Sequence, residues 1–281
     1  MDEELRKILK YLRLWGLLAN WDQLLAEARR GRFSHERLLA HVLQAEYRGK
    51  SDNARLLRRK RARIPELLEI ETYPFTRQRK LDRKRIMSLY DSFDYMTKRQ
   101  NIVWLGPTGC GKTGLATSFL LQAIDRGYRG HFVTFAELVA ELYASLADHS
   151  EKKVLRKYWL YDCLLIDEVG YVEVEPPQVG LFFTLMQRRH KTKTTLITSN
   201  LGFLEWGSFL HNNQLTAALI DRLTENSHVI NMKNCRTLRD KLHEQHEGDE
   251  DGQDEDGADG EANESEGGEA NDNQGGEVDE Q

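Results

Sequence analysis

Eight consecutive residues, Gly106–Thr113, have the composition of a phosphate-binding loop. They read GPTGCGKT and lie between a short apolar run, Asn101–Leu105, and a helical stretch that begins GLATSFLLQAI. Glycines allow successive backbone N–H groups to turn inward around an anion, and the start of the following helix favours negative charge. The sequence matches the Walker A pattern in full and sits in its expected strand-to-helix context. It therefore predicts a site for the phosphates of ATP.

Individual residues of this loop have separate predicted roles. Lys112 is expected to contact the β- and γ-phosphates, and the Thr113 hydroxyl is expected to ligate Mg²⁺. Cys110 is expected to contribute its backbone N–H, and its thiol is a candidate for chemical modification. The predicted nucleotide-binding residues are Gly106, Pro107, Thr108, Gly109, Cys110, Gly111, Lys112 and Thr113.

Two adjacent acids, Asp167 and Glu168, end a second apolar run, Cys163–Ile166. Because side chains alternate along a strand, the two carboxylates would point to opposite sides of the sheet. Asp167 would hold the water shell of Mg²⁺, and Glu168 would polarise the water that attacks the γ-phosphate. The next apolar run, Thr194–Thr198, is followed by Asn200, which would lie beside the γ-phosphate or serve as an ordinary turn residue. These residues predict ATP hydrolysis.

The elements that position these residues follow from the apolar pattern. Strand-like runs alternate with helical stretches between residues 101 and 232, and this alternation predicts a parallel sheet with helices on both faces. Residues 5–63 instead have apolar residues at helical spacing, with a helix stop at Gly31 and a helix start at Ser34. We predict a helical N-terminal domain (1–68), an α/β ATPase domain (69–246) and an acidic tail (247–281).

Charge is distributed very unevenly along the chain. The net charge is −5, but residues 247–281 hold 16 Asp and Glu and no Lys or Arg, so residues 1–246 hold 40 basic against 29 acidic residues. The tail is too polar to fold and is predicted to be disordered. The basic remainder predicts a polyanionic partner, with nucleic acid the commonest. Two basic runs are the candidate phosphate contacts, although such runs are often ordinary solvated surface: Arg58, Arg59, Lys60, Arg61, Arg77, Arg79 and Lys80.

The cysteines and the apolar runs exclude other classes. Cys110, Cys163 and Cys235 are odd in number and far apart, which argues against a disulfide framework or a CxxC metal site. No apolar run approaches the roughly 18 to 20 residues of a membrane span. The first ten residues lack the apolar stretch of a signal peptide. A cytoplasmic protein with reduced thiols is predicted.

With these motifs in order, the chain resembles AAA+ ATPases. The runs GPTGCGKTGLA, LLIDEVGY, TSNL and ALIDRL resemble the IstB-like helper ATPases of insertion-sequence transposition and the related DnaC-like helicase loaders. The start LRLWGLLANWDQLLAEA and the basic run before Pro65 are also similar to the N-terminal region of IstB-like proteins. The resemblance covers residues 1–243 and leaves the acidic tail outside.

This resemblance implies further site residues. Asn200 matches the sensor-1 position, which orients the attacking water, and Arg222 in DRL matches the arginine finger that acts on a neighbouring subunit's nucleotide. The other reading of Arg222 is an exposed cation paired with a nearby acid. Arg236 is similar to the sensor-2 arginine, with Arg239 as the alternative because the wording of the segment departs from the family's pattern. An arginine supplied between subunits implies a homo-oligomer.

The resemblance also implies partners. Its leading implication is an ATP-dependent protein that assembles on duplex DNA and assists the transposase of the same element. The alternative is a helicase loader that docks on a replicative helicase. A third possibility is a nucleotide-gated scaffold without turnover, against which Glu168 and Arg222 argue. The basic N-terminal region favours the protein that assists a transposase, because a protein that binds around duplex DNA needs many cations.

Overall fold

Five parallel strands form the centre of the structure, a computed structural model that describes residues 1–239. Their order across the sheet is β2-β3-β4-β1-β5, so β2 and β5 lie at the edges. Every neighbouring pair is parallel, which confirms the predicted sheet. The strands are β1 (Asn101–Leu105), β2 (Gly130–Thr134), β3 (Cys163–Val169), β4 (Thr194–Ser199) and β5 (Ser227–Asn231).

Alternation along the strands produces two hydrophobic cores, one on each face of the sheet. In β1, Trp104 packs into the core that contains Phe119, whereas Val103 packs into the opposite core with Phe182. Both cores are covered by helices, because each face of a parallel sheet must be shielded from water. The sheet is therefore rigid, and it fixes the ends of its strands in space.

The helices around the sheet agree with the apolar periodicity. The helix α8 begins at a capping box in which Thr134 and Glu137 bond reciprocally. Together with the helices of the N-terminal region, they are α1 (Glu3–Tyr11), α2 (Trp15–Ala19), α3 (Trp21–Arg30), α4 (His35–Arg61), α5 (Arg83–Ser92), α6 (Asp94–Thr97), α7 (Lys112–Asp125), α8 (Phe135–Ala144), α9 (Glu151–Trp159), α10 (Pro176–Arg189), α11 (Trp206–Leu210) and α12 (Asn213–Thr224).

The N-terminal region is helical, as predicted, and has a small core. Its buried apolar cluster consists of Leu9, Leu17 and Leu24, with partly buried neighbours around them. The predicted helix start at Ser34 is confirmed, since its side chain accepts the Arg37 N–H at the beginning of α4. Helix α4 has 27 residues and is about 40 Å long. Its length carries the chain from this small core to the edge of the sheet.

The end of α4 is attached to the sheet. The carbonyl oxygen of Ala62, which follows α4 and is fully buried, accepts the Phe132 N–H of edge strand β2 at 2.8 Å.

The domain boundary at residue 68 remains a prediction, and the acidic tail lies outside the described residues. Within residues 1–239, no helix has both the length and the apolar character needed to cross a membrane. All three cysteines are buried and unpaired.

Candidate nucleotide site and basic surfaces

The loop between β1 and α7 has the backbone shape that a phosphate cradle requires. Gly109 and Gly111 have φ angles of +80° and +89°, which residues with a Cβ rarely adopt. A Cβ on Gly111 would also lie 2.7 Å from the Tyr73 ring and 2.8 Å from Leu238. Glycine is thus required at both positions by the backbone conformation, and at Gly111 also because a side chain would collide with its neighbours.

Lys112 is held at the mouth of this loop. Its Nζ donates to the carbonyl oxygens of Gly106 and Pro107 at 2.7 and 2.8 Å, and the residue is 8% exposed. Burial lowers the pKa of Lys112, and the nearby carboxylates of Asp167 and Glu168 oppose this effect. A buried ammonium group whose partners are neutral carbonyls is well placed to bind an anion.

Asp167 lies beside Thr113, as the predicted magnesium pair requires. The Thr113 hydroxyl donates to Asp167 Oδ1 at 2.9 Å, and the Thr198 hydroxyl donates to the same oxygen at 2.6 Å. Burial raises the pKa of Asp167, whereas these two hydrogen bonds and the charge of Lys112 lower it. Mg²⁺ in nucleotide sites is commonly held by one or two protein oxygens plus phosphates and water. The hydroxyl and the carboxylate fit that donor set.

Glu168 faces away from Asp167, and the cause is a β-bulge rather than simple alternation. Ile166 pairs with Ile197 and Val169 pairs with Ser199, so β3 has one extra residue between the two pairs. Glu168 itself has a φ of +60° and is exposed, whereas Asp167 is 4% exposed. A bulge next to an active site re-aims a side chain. A non-glycine residue in this conformation costs on the order of 1 kcal/mol or more.

Thr198 is a site residue that the sequence reasoning missed. In addition to its bond to Asp167, it accepts the Glu168 N–H at 2.9 Å, so one hydroxyl fixes both acids. Asn200, two residues later, has a buried Oδ1 without a hydrogen-bond partner among residues 1–239. A Cβ on Gly170 would be 3.6 Å from that oxygen. Asn200 therefore lies next to the turn that follows Glu168, and the i, i+2 spacing from the predicted Asn200 could have identified Thr198.

Tyr171 and Arg239 complete the lining of the cavity beside the loop. The Tyr171 hydroxyl is 2.6 Å from Thr108 Oγ1, a contact that no sequence pattern indicated. Arg239 lines the same cavity as Lys112 and Glu168. Arg236 instead lines a neighbouring cleft with Arg77. Of the two sensor-2 candidates, the structure brings Arg239 to the phosphate loop and does not bring Arg236 there.

Gln78 joins the loop to the C-terminal segment. Its side-chain N–H groups donate to the carbonyl oxygens of Arg236 and Cys110 at 2.6 and 3.3 Å, and its Oε1 accepts the Arg236 N–H at 3.0 Å. Tyr73 donates a further hydrogen bond to the Cys110 carbonyl at 3.0 Å. Gln78 is 2% exposed. Since the thiol of Cys110 is also buried, burial raises the pKa of Cys110.

Arg222 lies on α12, outside the lining of its own chain's nucleotide cavity. Its guanidinium donates to the Ala218 carbonyl at 2.8 Å and lies 4.9 Å from the centre of the Phe183 ring. No ion pair of Arg222 occurs among the described residues. The structure thus supports packing, rather than a salt bridge with a nearby acid, as the local environment of this arginine.

In the first basic run, two arginines contact the end of α7. Arg59 forms a bidentate ion pair with Asp125 at the end of α7, and Arg58 donates to the Ile124 carbonyl at 3.1 Å. Lys60 and Arg61 are exposed. The second run is exposed around the cleft that Arg236 also lines and comprises Arg77, Arg79 and Lys80.

Comparison with known proteins identifies the family. The sequence profile of the IstB-like ATP binding proteins matches residues 7–245. The chain belongs to this family. An ATP-binding protein named for insertion sequence IS21 of Pseudomonas aeruginosa is 31% identical over 230 residues, which cover 82% of this chain and 86% of the relative. One named for insertion sequence IS5376 of Geobacillus stearothermophilus is 31% identical over 252 residues, 89% of this chain and 100% of the relative.

The fold also has a solved counterpart. The crystal structure of DnaI superposes with a TM-score of 0.50 at 20% identity, covering 62% of this chain and 93% of that chain. At this identity the likeness concerns the fold alone. Together with the profile match, it makes this chain an IstB-like, ATP-binding protein with an AAA+ fold.

Proposed function

We propose that this chain is an ATPase that regulates DNA transposition. It binds ATP with Mg²⁺, assembles on duplex DNA as a homo-oligomer with nucleotide sites at subunit interfaces, and assists the transposase of the same element. Hydrolysis of ATP then resets the assembly. Support comes from the family and from relatives that are named for insertion sequences.

The observation that carries hydrolysis is the separation of the two acids at the end of β3. Asp167 is buried and bonded to Thr113, whereas Glu168 is exposed and its carboxylate forms no hydrogen bond within residues 1–239. When bound, Mg²⁺ would offset the charge of the β- and γ-phosphates. Glu168 remains available to accept a proton from the attacking water. Two carboxylates with different surroundings can perform these two tasks.

Assembly on DNA is supported by charge and by the location of Arg222. Residues 1–246 carry a large excess of Lys and Arg, and several of these cations are exposed. Arg222 does not line the cavity of its own chain, which agrees with action on a neighbouring subunit's nucleotide. A hydrolysis site that needs two chains makes the activity dependent on assembly.

The helicase loader remains the alternative function. The motifs of this chain also resemble those of DnaC-like loaders, whereas the likeness to DnaI concerns the fold alone. The relatives that match at 31% identity over more than four-fifths of this chain are named for insertion sequences, and they favour the transposition helper. A loader would also be expected to need an apolar docking face more than a basic one.

Reconstituted strand transfer tests this function. The full chain is added to the transposase encoded by the same element and a duplex target, with ATP or a non-hydrolysable analogue. We expect insertion into the target to increase with the chain and nucleotide present, and ATP hydrolysis to increase with duplex DNA. Equal insertion with and without the chain, together with stimulated unwinding by a replicative helicase, would favour the loader instead.

A further inference from the structure

A second cleft lies at the amino ends of β2 and β3. This end of the sheet, called the amino edge below, is opposite the phosphate loop, which lies at the carboxyl ends of the strands, called the carboxyl edge. Because β3 has seven residues, the two edges are roughly 20 Å apart. This cleft has a volume of about 500 Å³. Its lining comes from the end of α4, the start of β2 and the segment before β3, and it includes Lys60, Arg61, Arg63, Arg129, His131 and Tyr161.

The cleft has more positive charge than its own acids neutralise. Arg129 pairs with Asp162 at 3.4 Å, and Lys157, also in the lining, pairs with Glu141 at 2.6 Å. Arg58, also in the lining, donates to the Ile124 carbonyl. Three further cations have exposed side chains that form no hydrogen bond or ion pair with the described part of the chain: Lys60, Arg61 and Arg63. Three unpaired cations around one concave surface produce a strongly attractive potential for an anion.

The backbone fixes the positions of these cations. Ala62 is fully buried and its carbonyl accepts the Phe132 N–H on the outer edge of β2. Arg61 and Arg63 flank this anchored residue, and Arg63 has a φ of +56°. The ion pair of Arg59 with Asp125 holds the preceding turn of α4. Since none of these contacts uses the side chains of Arg61 or Arg63, both remain available to a ligand in a preorganised place.

His131 gives a second, independent indication of a ligand. It is 3% exposed and stacks on Tyr161, with ring centres 4.5 Å apart and planes 6° apart. Its Nδ1 has no hydrogen-bond partner anywhere in residues 1–239. An unsatisfied buried polar atom is destabilising and needs an explanation. This buried and unsatisfied ring belongs to the lining of the cleft.

We propose that this cleft binds consecutive phosphodiester groups of duplex DNA through Arg61 and Arg63, with His131 in the lining beneath them. The proposal rests on the DNA-binding function proposed above and assigns a place to it. A polymer fits better than a single small anion because the cleft is open and its free cations are exposed rather than enclosed. Arg58 and Arg59 serve here as anchors of α4.

The experiment compares two double variants of the full chain. Arg61→Gln with Arg63→Gln removes two charges from the cleft, and Lys152→Gln with Lys153→Gln removes two exposed charges from α9 outside the cleft. Binding of a 30-base-pair duplex is measured between about 50 and 200 mM salt. The cleft variant should lower the slope of log affinity against log salt by about 1.8, because each phosphate contact contributes about 0.9. Between about 50 and 200 mM salt, the wild type should therefore lose roughly ten times more affinity than the cleft variant loses.

The outcomes separate this assignment from the proposed function. If the wild type binds no duplex at low salt, both the DNA-binding function and the cleft assignment are overturned. If the wild type binds and the cleft variant has the same slope as the wild type, the cleft alone is overturned. A weaker affinity with an unchanged slope would also overturn it, since the lost contacts would not be to phosphates.

NMR of His131 adds a measurement that reports on the cleft itself rather than on the overall affinity for DNA. The imidazole resonances of His131, assigned by their absence in His131→Phe, are followed by NMR while the duplex is added. We expect them to shift in the wild type and in the Lys152/Lys153 control, but not in the Arg61/Arg63 variant at the same DNA concentration. Unchanged His131 resonances in the DNA-bound wild type would contradict the assignment.

Discussion

The two edges of the sheet present positive charge in different ways. At the carboxyl edge, Lys112 is 8% exposed, bonded to two carbonyl oxygens and enclosed by a glycine loop. At the amino edge, Arg61 and Arg63 are exposed side chains around an open cleft. A backbone cradle fits one group of phosphates at one distance, whereas exposed cations attract charge with little regard to shape. The first edge is suited to chemistry and the second to attachment.

The largest effect is expected at the carboxyl edge, where two substitutions should separate binding from hydrolysis. Lys112→Ala should lower ATP affinity at least about a hundredfold, because the buried charge that faces the phosphates is lost. Glu168→Gln should retain ATP but slow hydrolysis by about 10²–10⁴, since an amide cannot accept the proton. Equilibrium nucleotide binding and phosphate release measure the two effects. Equal loss of ATP affinity in both variants would contradict the separate roles assigned to Lys112 and Glu168.

Next in size is the recovery of activity in mixed assemblies. Arg222→Ala and Glu168→Gln subunits should each be inactive alone if Arg222 acts on the neighbouring chain. In an equal mixture, about a quarter of the interfaces join an intact glutamate with an intact arginine, so hydrolysis should recover to about that fraction. Phosphate release is measured across mixing ratios, with subunit exchange verified by labelled chains. Absence of recovery in assemblies shown to be mixed would count against a role in trans.

A smaller effect is expected at Thr198, which orders both acids. Thr198→Val preserves the shape but removes a hydrogen bond to Asp167 and leaves the Glu168 N–H without a partner. Hydrogen bonds to charged groups contribute about 1.5–3 kcal/mol, so hydrolysis should fall by about tenfold or more while ATP affinity is kept. Thr184→Val, which removes a local bond within α10, is the matched control. Equal hydrolysis by the two variants would show that Thr198 does not order the site.

At neutral pH the smallest effect is expected at the amino edge, because it appears only in acid. Burial lowers the pKa of His131 from 6.5 to about 4, and the charges of Lys157 and Arg63 also lower it, whereas the neighbouring Arg61 backbone raises it. The unfolded chain therefore takes up a proton first as the pH falls. The free energy of unfolding should decrease below pH 6.5 by up to about 1.4 kcal/mol per pH unit until about pH 4.

Denaturation at several pH values checks this contribution. His131→Phe keeps a ring against Tyr161 and should have a shallower acid slope than the wild type, whereas His35→Gln, at an exposed position, should not. Above pH 6.5 the slopes of all three proteins should converge. A wild-type slope retained in His131→Phe would show that another group is responsible and would remove this difference between the two edges.

The sequence predicted the carboxyl edge well because backbone requirements restrict residue types. Gly109 and Gly111 need positive φ angles, and Asp167 lies near the carboxyl end of a buried strand, so short contiguous patterns identify them. The apolar runs that begin at Asn101, Cys163 and Thr194 start where β1, β3 and β4 start, since burial on both faces imposes apolar runs. The bulge at Glu168 escaped prediction because alternation alone would give the same separation of the two acids.

Contacts between distant segments could not be predicted in the same way. The Tyr171 contact joins residues 63 positions apart, and the ion pair of Arg59 joins residues 66 positions apart. No spacing rule distinguishes Arg59, which is engaged by α7, from Arg61, which is not. Likewise, the placement of Arg239 rather than Arg236 at the loop depends on the path of an irregular segment.

The buried amide of Gln78 has a mechanical consequence. It bonds to the Cys110 carbonyl in the phosphate loop and to both backbone groups of Arg236. Hydrogen bonds weaken steeply over a few tenths of an ångström, so the loop and the C-terminal segment cannot shift independently without breaking this linkage. Gln78 lies between Arg77 and Arg79 in the sequence. One buried side chain therefore couples the phosphate loop, the C-terminal segment and a basic stretch of the surface.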